Sequence, residues 1–471
     1  MRHKYAASIH NHDMPSDDKP MKTLDDIAAS LQGYDPNALP ADKVGEFLAH
    51  LVCSVVETEN LDLFDAPGRV LARDIVSPIS VPPHDNSAMD GFAFRAEHLS
   101  SSAPTVFKIV GTALAGKAWQ GAVHNDECVK IMTGAIMPSG LDTVVPQEMT
   151  TPHAGGISVA SGVLQAGDNR RLRGEDLMQG SAALSKGDMI TPAALGLLAS
   201  LNIAQVPVFR KLRVAYFSTG DEVLSLGEAP REGAIYDSNR YTVFGMLRRL
   251  GVQVIDMGVV RDDPALLEAA FLQAAAQADA IITSGGVSVG EADYTKAMMQ
   301  KLGGDAAGGG GVAFWKIAMR PGRPMAAGRI LRGKLASNLY GECASSYENN
   351  SAILFGLPGN PVAVMVTMLA FVRPALLRMM GANPAKYCAP ALYLKAQSVA
   401  PLRKKPGRTE YQRGVVSRGV SGALQVKTTG NQGSGVLSGM VQANGLIVLH
   451  HAQGNVAVGD LVDVLMFDGA M

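Results

Sequence analysis

Between residues 211 and 286 the chain alternates short apolar runs with segments of helical period, and few backbone arrangements accommodate that alternation. LRVAYFSTGDE reads as a buried strand running into a turn, and DSNRYTVFGMLRRLG as a helix with a good N-cap choice and a terminal glycine. VQVIDMGVVRDD follows as strand and loop, PALLEAAFLQAAAQAD as a helix opened by proline, and AIITSGG as another strand ending in glycines. Strands joined in this way by helices predict a parallel, doubly wound α/β sheet whose ligands sit beyond the carboxyl ends of the strands.

A chain of 471 residues exceeds what one hydrophobic core organises, so this sheet is expected to be one of three or four domains. Residues 1–20 form a polar tail; His3, His10 and His12 lie in it, and disorder fits the composition better than a metal-binding cluster. Val44, Phe47, Leu48, Leu51 and Val55 recur at helical spacing and predict a helix over about residues 41–56, inside an N-terminal helical segment at 21–57. Residues 58–80 mix β-type runs with proline and glycine and read as a connector, to which a helix flanked by strands at 178–207 returns. Between them, residues 81–177 carry no lasting helical period and read as a β-rich domain. The α/β domain is expected to end near 385, and residues 386–471 to form a small C-terminal β domain without helices. GGDAAGGGG at 303–311 and the polar run at 333–350 read as surface insertions.

Charge excludes some partners. The net charge of -1 offers no global field for nucleic acid or an anionic membrane, so an anionic ligand must be held locally. No uninterrupted apolar stretch reaches the roughly 20 residues of a membrane helix, and the N-terminus lacks a secretory pattern, which predicts a cytoplasmic location. Cys53, Cys128, Cys343 and Cys388 lack the close spacing of a disulfide framework or zinc site and read as reduced thiols.

The polar, glycine-flanked segments are expected to carry the chemistry, because most fall at strand ends or in loops, where a scaffold displays reactive groups. Ser284, Gly285 and Gly286 open SGGVSVG directly after a buried strand, so backbone N–H groups can cradle a phosphate there; a tight strand-to-helix turn would use the same glycines. LPGNP, with Pro358 and Pro361, offers either a second anion site or a plain helix-initiating turn. Asp90, Glu175, Asp176, Asp221, Glu222, Asp262, Asp263 and Asp293 lie in glycine-bounded loops. Carboxylates gathered around a phosphate would repel it unless a hard divalent cation bridged them, and magnesium is the natural choice. Opposing them is FWKIAMRPGRP, whose Lys316, Arg320 and Arg323 form either a charge-assisted oxyanion site or an ordinary basic loop. Thr133 and Ser218 are candidate hydroxyl donors to an oxyanion, and capping roles would suit them equally. There is no G-x-S-x-G elbow, H-E-x-x-H pair or P-loop lysine, which disfavours proteolysis and ordinary NTP hydrolysis.

Taken in order, DNSAMDG, MTGA, RGED, STGDE, YDSNR, RDDP, SGGVSVGEADYT, the basic loop and GLPGNP, with YQRG and GNVAVGD beyond them, resemble the molybdopterin molybdenumtransferase family, comprising the MoeA proteins and the gephyrin E domain. The resemblance runs from about residue 61 to the C-terminus. It implies a four-domain, elongated homodimer with a molybdopterin-binding-like α/β domain and a C-terminal β-barrel-like domain, whose active cleft is shared between the β-rich domain of one subunit and the α/β domain of the other. It also implies a magnesium-assisted transferase that takes adenylylated molybdopterin and molybdate, releases AMP and leaves molybdenum on the pterin dithiolene. Matched position by position, Asp90, Thr133, Asp176 and Asp293 are implied in catalysis, and Glu222 and Asp262 in holding magnesium, with Asp221 and Asp263 as neighbours able to exchange roles. Glu175, Ser218, Thr219, Gly220, Ser284, Gly285, Gly286, Lys316, Arg320, Arg323, Pro358, Pro361 and Ser434 are implied in substrate binding. Two departures stand out: arginines at 320 and 323 where many members carry lysine, and Asn431 where histidine is common. Two alternatives are a molybdopterin adenylyltransferase and a non-catalytic, gephyrin-like scaffold. Other molybdenum cofactor biosynthesis proteins are candidate partners.

Overall fold

The structure is a computed structural model that describes residues 22–287, 294–304, 311–332, 351–388 and 392–467; Cys343, Asp293 and the run 333–350 lie outside them. The described residues form two compact units, one built from residues 60–208 and the other from those up to 59 together with those from 209 onward.

The first unit holds a six-stranded sheet ordered Thr143–Pro146, Gly91–Phe94, Glu127–Ile131, Thr105–Ala113, Gly156–Val159, Thr150–His153. Successive side chains of a strand point to opposite faces. Ala93, Val129, Ile131 and Val144 therefore enter one apolar cluster, while Phe92, Phe94, Cys128 and Val145 enter a second. Both faces are covered, which is why GFAF and TVVP are apolar throughout instead of alternating. A third cluster joins Ala66, Leu71 and Ile75 to Ile190, Ala194, Leu198, Val206 and Val208, and Ala182 pairs with Val76. Its helix, Pro192–Ser200, is capped by Thr191, whose side chain accepts the Ala194 N–H.

In the second unit a six-stranded sheet runs Gln253–Val260, Arg213–Thr219, Ala280–Ser284, Ser351–Leu357, Pro324–Leu331, Gly311–Lys316. The first four strands are parallel, and the last two are antiparallel to their neighbours, so the sheet is mixed. A parallel return needs a dozen or more residues of crossover. Residues 317–323 are too few for one, and the chain turns back on itself. Pro264–Gln277 and Tyr294–Gly303 cover one face around Ala215, Phe217, Ile281 and Leu354. Ser238–Leu250 and the helical run 361–379 pack on the other. The second of these is long and apolar enough to cross a membrane, yet most of it is buried within this unit, as a core helix would be.

The helix expected over 41–56 stops earlier, at Ala41–Leu51. Val52 is extended, and the Val55 N–H donates to Met379 O at 2.8 Å, which holds the following residues against the core helix. Toward the C-terminus, Leu394–Ser398, Thr409–Arg418, Leu424–Thr428, Gly445–Leu449 and Leu461–Met466 close into a five-stranded barrel. Contrary to expectation, this region includes a short helix, Ser438–Gln442.

Candidate functional site

In the first unit the DNSAMDG, MTGA and RGED segments lie side by side. Ser87 pairs with Arg170 and Asn86 with Arg171, Gly134 N–H donates to Ser87 O at 2.8 Å, and Arg173 N–H donates to Asp85 Oδ1 at 2.8 Å. Asp90 and Thr133 meet directly, the Thr133 backbone N–H and hydroxyl both donating to Asp90 Oδ1 at 2.7 Å. These bonds, the backbone one first, hold the exposed Asp90 carboxyl below its ordinary range. The only hydroxyl proton of Thr133 is spent on Asp90, so toward a ligand this oxygen is an acceptor and not the oxyanion donor the sequence invites. Glu175 accepts the Leu172 N–H at 2.8 Å and so closes its own turn, while Asp176 is exposed with its backbone N–H tied to Val81 O.

In the second unit the candidates gather beyond the carboxyl ends of the parallel strands. Ser218 and Ser284 face each other in register, and both hydroxyls bond to the Tyr216 hydroxyl, at 2.9 and 2.7 Å. All three side chains are buried, and burial raises the Tyr216 pKa. The serines thus brace the strand ends from inside, and no sequence signal marked Tyr216 in its apolar run. Gly285 and Gly286 follow at φ +93° and +65°. A Cβ on Gly285 would stand 2.6 Å from Thr219 O, and one on Gly286 2.3 Å from Thr295 Cβ, so only glycine allows the turn to close this tightly. The Thr219 and Thr295 hydroxyls are buried beside it with no partner among the described residues.

The same edge collects LPGNP. Gly285 N–H donates to Leu357 O at 3.1 Å, Asn239 Nδ2 donates to Gly359 O at 2.7 Å, and Val362 N–H, in the helix Pro361 opens, donates to Ser434 O at 3.1 Å. Pro358 and Pro361 flank this crossing of chains. Ser434 is reached through Arg413, whose guanidinium, 1% exposed, donates to Asn431 O at 2.6 Å and Gly433 O at 3.0 Å and so shapes the loop that ends there. Asn239 and Arg413 sit in motifs quoted from the sequence, but their bonding partners are distant in the chain and left no local signal.

The acidic candidates lie on neighbouring loops. The Glu222 carboxylate folds over Gly220, where a Cβ would stand 2.5 Å from it. Asp262 N–H donates to Asp221 Oδ1 at 3.3 Å. The Asp263 carboxylate caps the following helix, its Oδ1 accepting the Ala265 and Leu266 N–H groups, each at 2.9 Å. Asp293 lies outside the described residues. The basic loop presents the half-buried Lys316 and the exposed Arg320 and Arg323, and among the described residues none of the three side chains has an ion-pair or hydrogen-bond partner.

Three family profiles match the chain: "MoeA N-terminal region (domain I and II)" over residues 39–202, "Probable molybdopterin binding domain" over 215–378, and "MoeA C-terminal region (domain IV)" over 395–467. The chain is 40% identical over 412 residues to the molybdopterin molybdenumtransferase of Haemophilus influenzae, covering 88% of this chain and 94% of that one. It is 33% identical over 413 residues to the enzyme of that name from Nostoc sp., covering 87% and 88% respectively. Its fold matches the molybdopterin biosynthesis MoeA protein from Pyrococcus horikoshii OT3 with a TM-score of 0.69 at 25% identity, over 91% of this chain and 100% of that one. The chain belongs to the MoeA family of molybdopterin molybdenumtransferases.

Proposed function

We propose that this protein is a molybdopterin molybdenumtransferase: it takes adenylylated molybdopterin and molybdate, releases AMP and leaves molybdenum on the pterin. The observation that carries this furthest is the pairing of a glycine turn at the strand ends with three cations that no carboxylate among the described residues neutralises. A phosphoanhydride is a dense anion, and fixed cations aimed at it favour the transition state of its cleavage when water is excluded. Lys316, Arg320 and Arg323 bind and neutralise the phosphates, the arginines with bidentate reach. The Ser284–Gly286 turn and the Thr219 hydroxyl line the nucleotide side. The Pro358–Pro361 crossing and Ser434 hold the far wall.

The Asp90–Thr133 pair presents an ionised carboxylate and a hydroxyl acceptor suited to a donor group on the pterin. Asp176 or Asp293 orients the attacking water or oxyanion. In our reading a homodimer brings the loops of the first unit, from one subunit, to the strand-end loops of the second, from its partner, and the enzyme works in the cytoplasm. The connector formed by residues 58–80 and 178–207 belongs to the same proposal, supported by the cluster that joins Leu71 and Ile75 to Leu198 and Val208.

Magnesium is part of this proposal. Among the described residues no three His, Cys, Asp or Glu side chains gather around one point. The ion would then be held by one or two carboxylates plus the substrate's phosphates, without a protein cage. Glu222 and Asp262 would hold it, beside Asp221, and it would supply charge neutralisation and Lewis acidity at the phosphates.

The test is turnover by the purified chain. AMP released from adenylylated molybdopterin in the presence of molybdate supports the assignment, whereas consumption of ATP with molybdopterin would make it an adenylyltransferase. A dimer that does neither would be a scaffold.

A further inference from the structure

Residues 22–38 precede the span matched by the MoeA N-terminal profile, yet they lie against the strand that carries the basic loop. Helix Leu24–Ser30 opens with a capping box in which Thr23 and Asp26 bond each other's backbone, and the chain then turns through Tyr34 toward Leu39. There it meets Gly311–Lys316, the edge strand of the mixed sheet. Both backbone groups of Lys316 are taken: its N–H donates to Pro36 O at 2.7 Å, and its C=O accepts the Leu39 N–H at 3.2 Å. One residue pair further, Leu39 bridges Ile317, and the Ala318 N–H donates to Leu39 O at 2.8 Å.

The side chains lock the same register. Trp315, 2% exposed, donates its indole N–H to the Tyr34 hydroxyl at 2.9 Å, and Phe47 packs against both rings, at 6.0 Å from Tyr34 and 4.9 Å from Trp315. A one-residue slip of a strand exchanges its two faces. Here a slip would drive Lys316 into the aromatic pocket and turn Trp315 outward, so the tryptophan anchor decides which way the lysine faces. The far side of the loop is fixed as well: Ile317 N–H donates to Arg323 O at 2.7 Å, the backbone of Arg320 lies in strand register with that of Glu410 in the barrel, and Gly322 packs on Thr367. Covering a sheet edge means pairing its backbone N–H and C=O groups, which could be done anywhere along Gly311–Lys316. The strap instead bonds at the residue where strand becomes loop.

We propose that residues 34–39 form a positioning strap for the anion-binding loop, with Tyr34 and Trp315 as positioning residues that set where the Lys316 ammonium stands. This rests on the reading of Lys316 as a phosphate-binding group. The experiment is a double-mutant cycle on the full chain with Tyr34→Phe, which keeps the ring but removes the hydroxyl acceptor, and Lys316→Gln. KM and kcat are read from AMP release with adenylylated molybdopterin, affinity is read by calorimetry with AMP, and melting temperature is followed for every variant.

Tyr34→Phe is expected to raise KM and the AMP dissociation constant roughly three- to tenfold, the scale of one hydrogen bond, with kcat within about twofold. In the Lys316→Gln background the same change is expected to add nothing, and this coupling stands whether or not the melting temperature falls. If Lys316→Gln weakens binding while Tyr34→Phe does not, or if Tyr34→Phe acts equally in both backgrounds, the strap is overturned and the function of the loop stands. If Lys316→Gln itself leaves KM and AMP affinity unchanged, the phosphate-binding role of the lysine falls, and the strap with it.

Discussion

Replacing Gly285 by alanine tests the strand-end turn at its tightest point. The residue sits at φ +93°, where an L side chain costs roughly 1–3 kcal/mol. The new Cβ would also stand 2.6 Å from Thr219 O and 2.9 Å from Thr219 Oγ1. Thr219 pairs with Val260 in the sheet and has little room to retreat, so overpacking adds about 1–3 kcal/mol. The sum, roughly 2–6 kcal/mol, is a large part of an ordinary domain stability of about 5–15 kcal/mol. The turn is therefore expected to relax outward and take its backbone away from the ligand. A displacement near 1 Å at a positioning group costs about a hundredfold in rate. Gly285→Ala should lose about that much kcat/KM for AMP release and melt some 5–20 °C lower. Gly251→Ala is the control: it sits at φ +86° with nothing within 4 Å of an added Cβ, at a helix end away from the strand-end turn. It should lose about 1–2 kcal/mol and keep its activity. If Gly285→Ala retained wild-type kcat/KM and were destabilised no more than Gly251→Ala, the turn would not be a close-approach surface.

Other perturbations separate the remaining roles. Lys404→Met should cost roughly 1–3 kcal/mol in thermal melts, because the ammonium of the buried Lys404 donates to the carbonyls of Lys405, His451 and Gln453, and a thioether removes that donor from all three while among the described residues only His451 O keeps another, the Gly407 N–H; an unchanged melting curve would show the cluster to be incidental. Asp90 has a depressed carboxyl pKa, so the stability its charge contributes is present above the ordinary carboxylate range and lost as pH falls through the lower folded value. Thr133→Val removes one of its two donors, and the Asp90 titration followed by carbonyl NMR should move upward; identical midpoints would refute the coupling. Asp262→Asn should raise the magnesium concentration for half-maximal AMP release roughly tenfold or more, and a chelator should abolish release; insensitivity to both would remove the ion from the mechanism. Arg413→Leu should free the loop that ends at Ser434, and hydrogen exchange at the Val362 amide should accelerate while the barrel amides stay protected.

The alternation of the α/β region was legible because each element carries its own punctuation. Asp237 caps Ser238–Leu250, Gly251 ends it at φ +86°, and Pro264 opens the next helix behind the Asp263 cap. The antiparallel pair at the sheet edge was harder to see, since Gly311–Lys316 and Pro324–Leu331 have the same apolar composition as parallel strands. Direction is set by the length of the link between strands. In the site, Asp90 and Thr133 stood out as polar groups among glycines, but their mutual bond joins residues far apart in the chain. Tyr216 left no trace, because a tyrosine in a buried strand usually signals packing, and its hydroxyl gains meaning only when Ser218 and Ser284 arrive from two strands.

Charge supplies the remaining step from fold to site. With 42 basic against 43 acidic residues, the chain has no overall field to draw an anion, so capture depends on which cations are left uncompensated. Arg210 is held by Asp279 at 2.7 Å, Arg240 by Asp256 at 2.8 Å and Arg408 by Glu410 at 2.7 Å; the first two pairs tie distant backbone segments together, and the third joins neighbours at the start of a barrel strand. Such a guanidinium has little left to offer a ligand. Lys316, Arg320 and Arg323 lie within one loop, and none of their side chains has a carboxylate partner among the described residues. In our reading, a loop held by residues 34–39 on one side, by the barrel on the other and by Gly322 beneath would keep these cations in place for a phosphate.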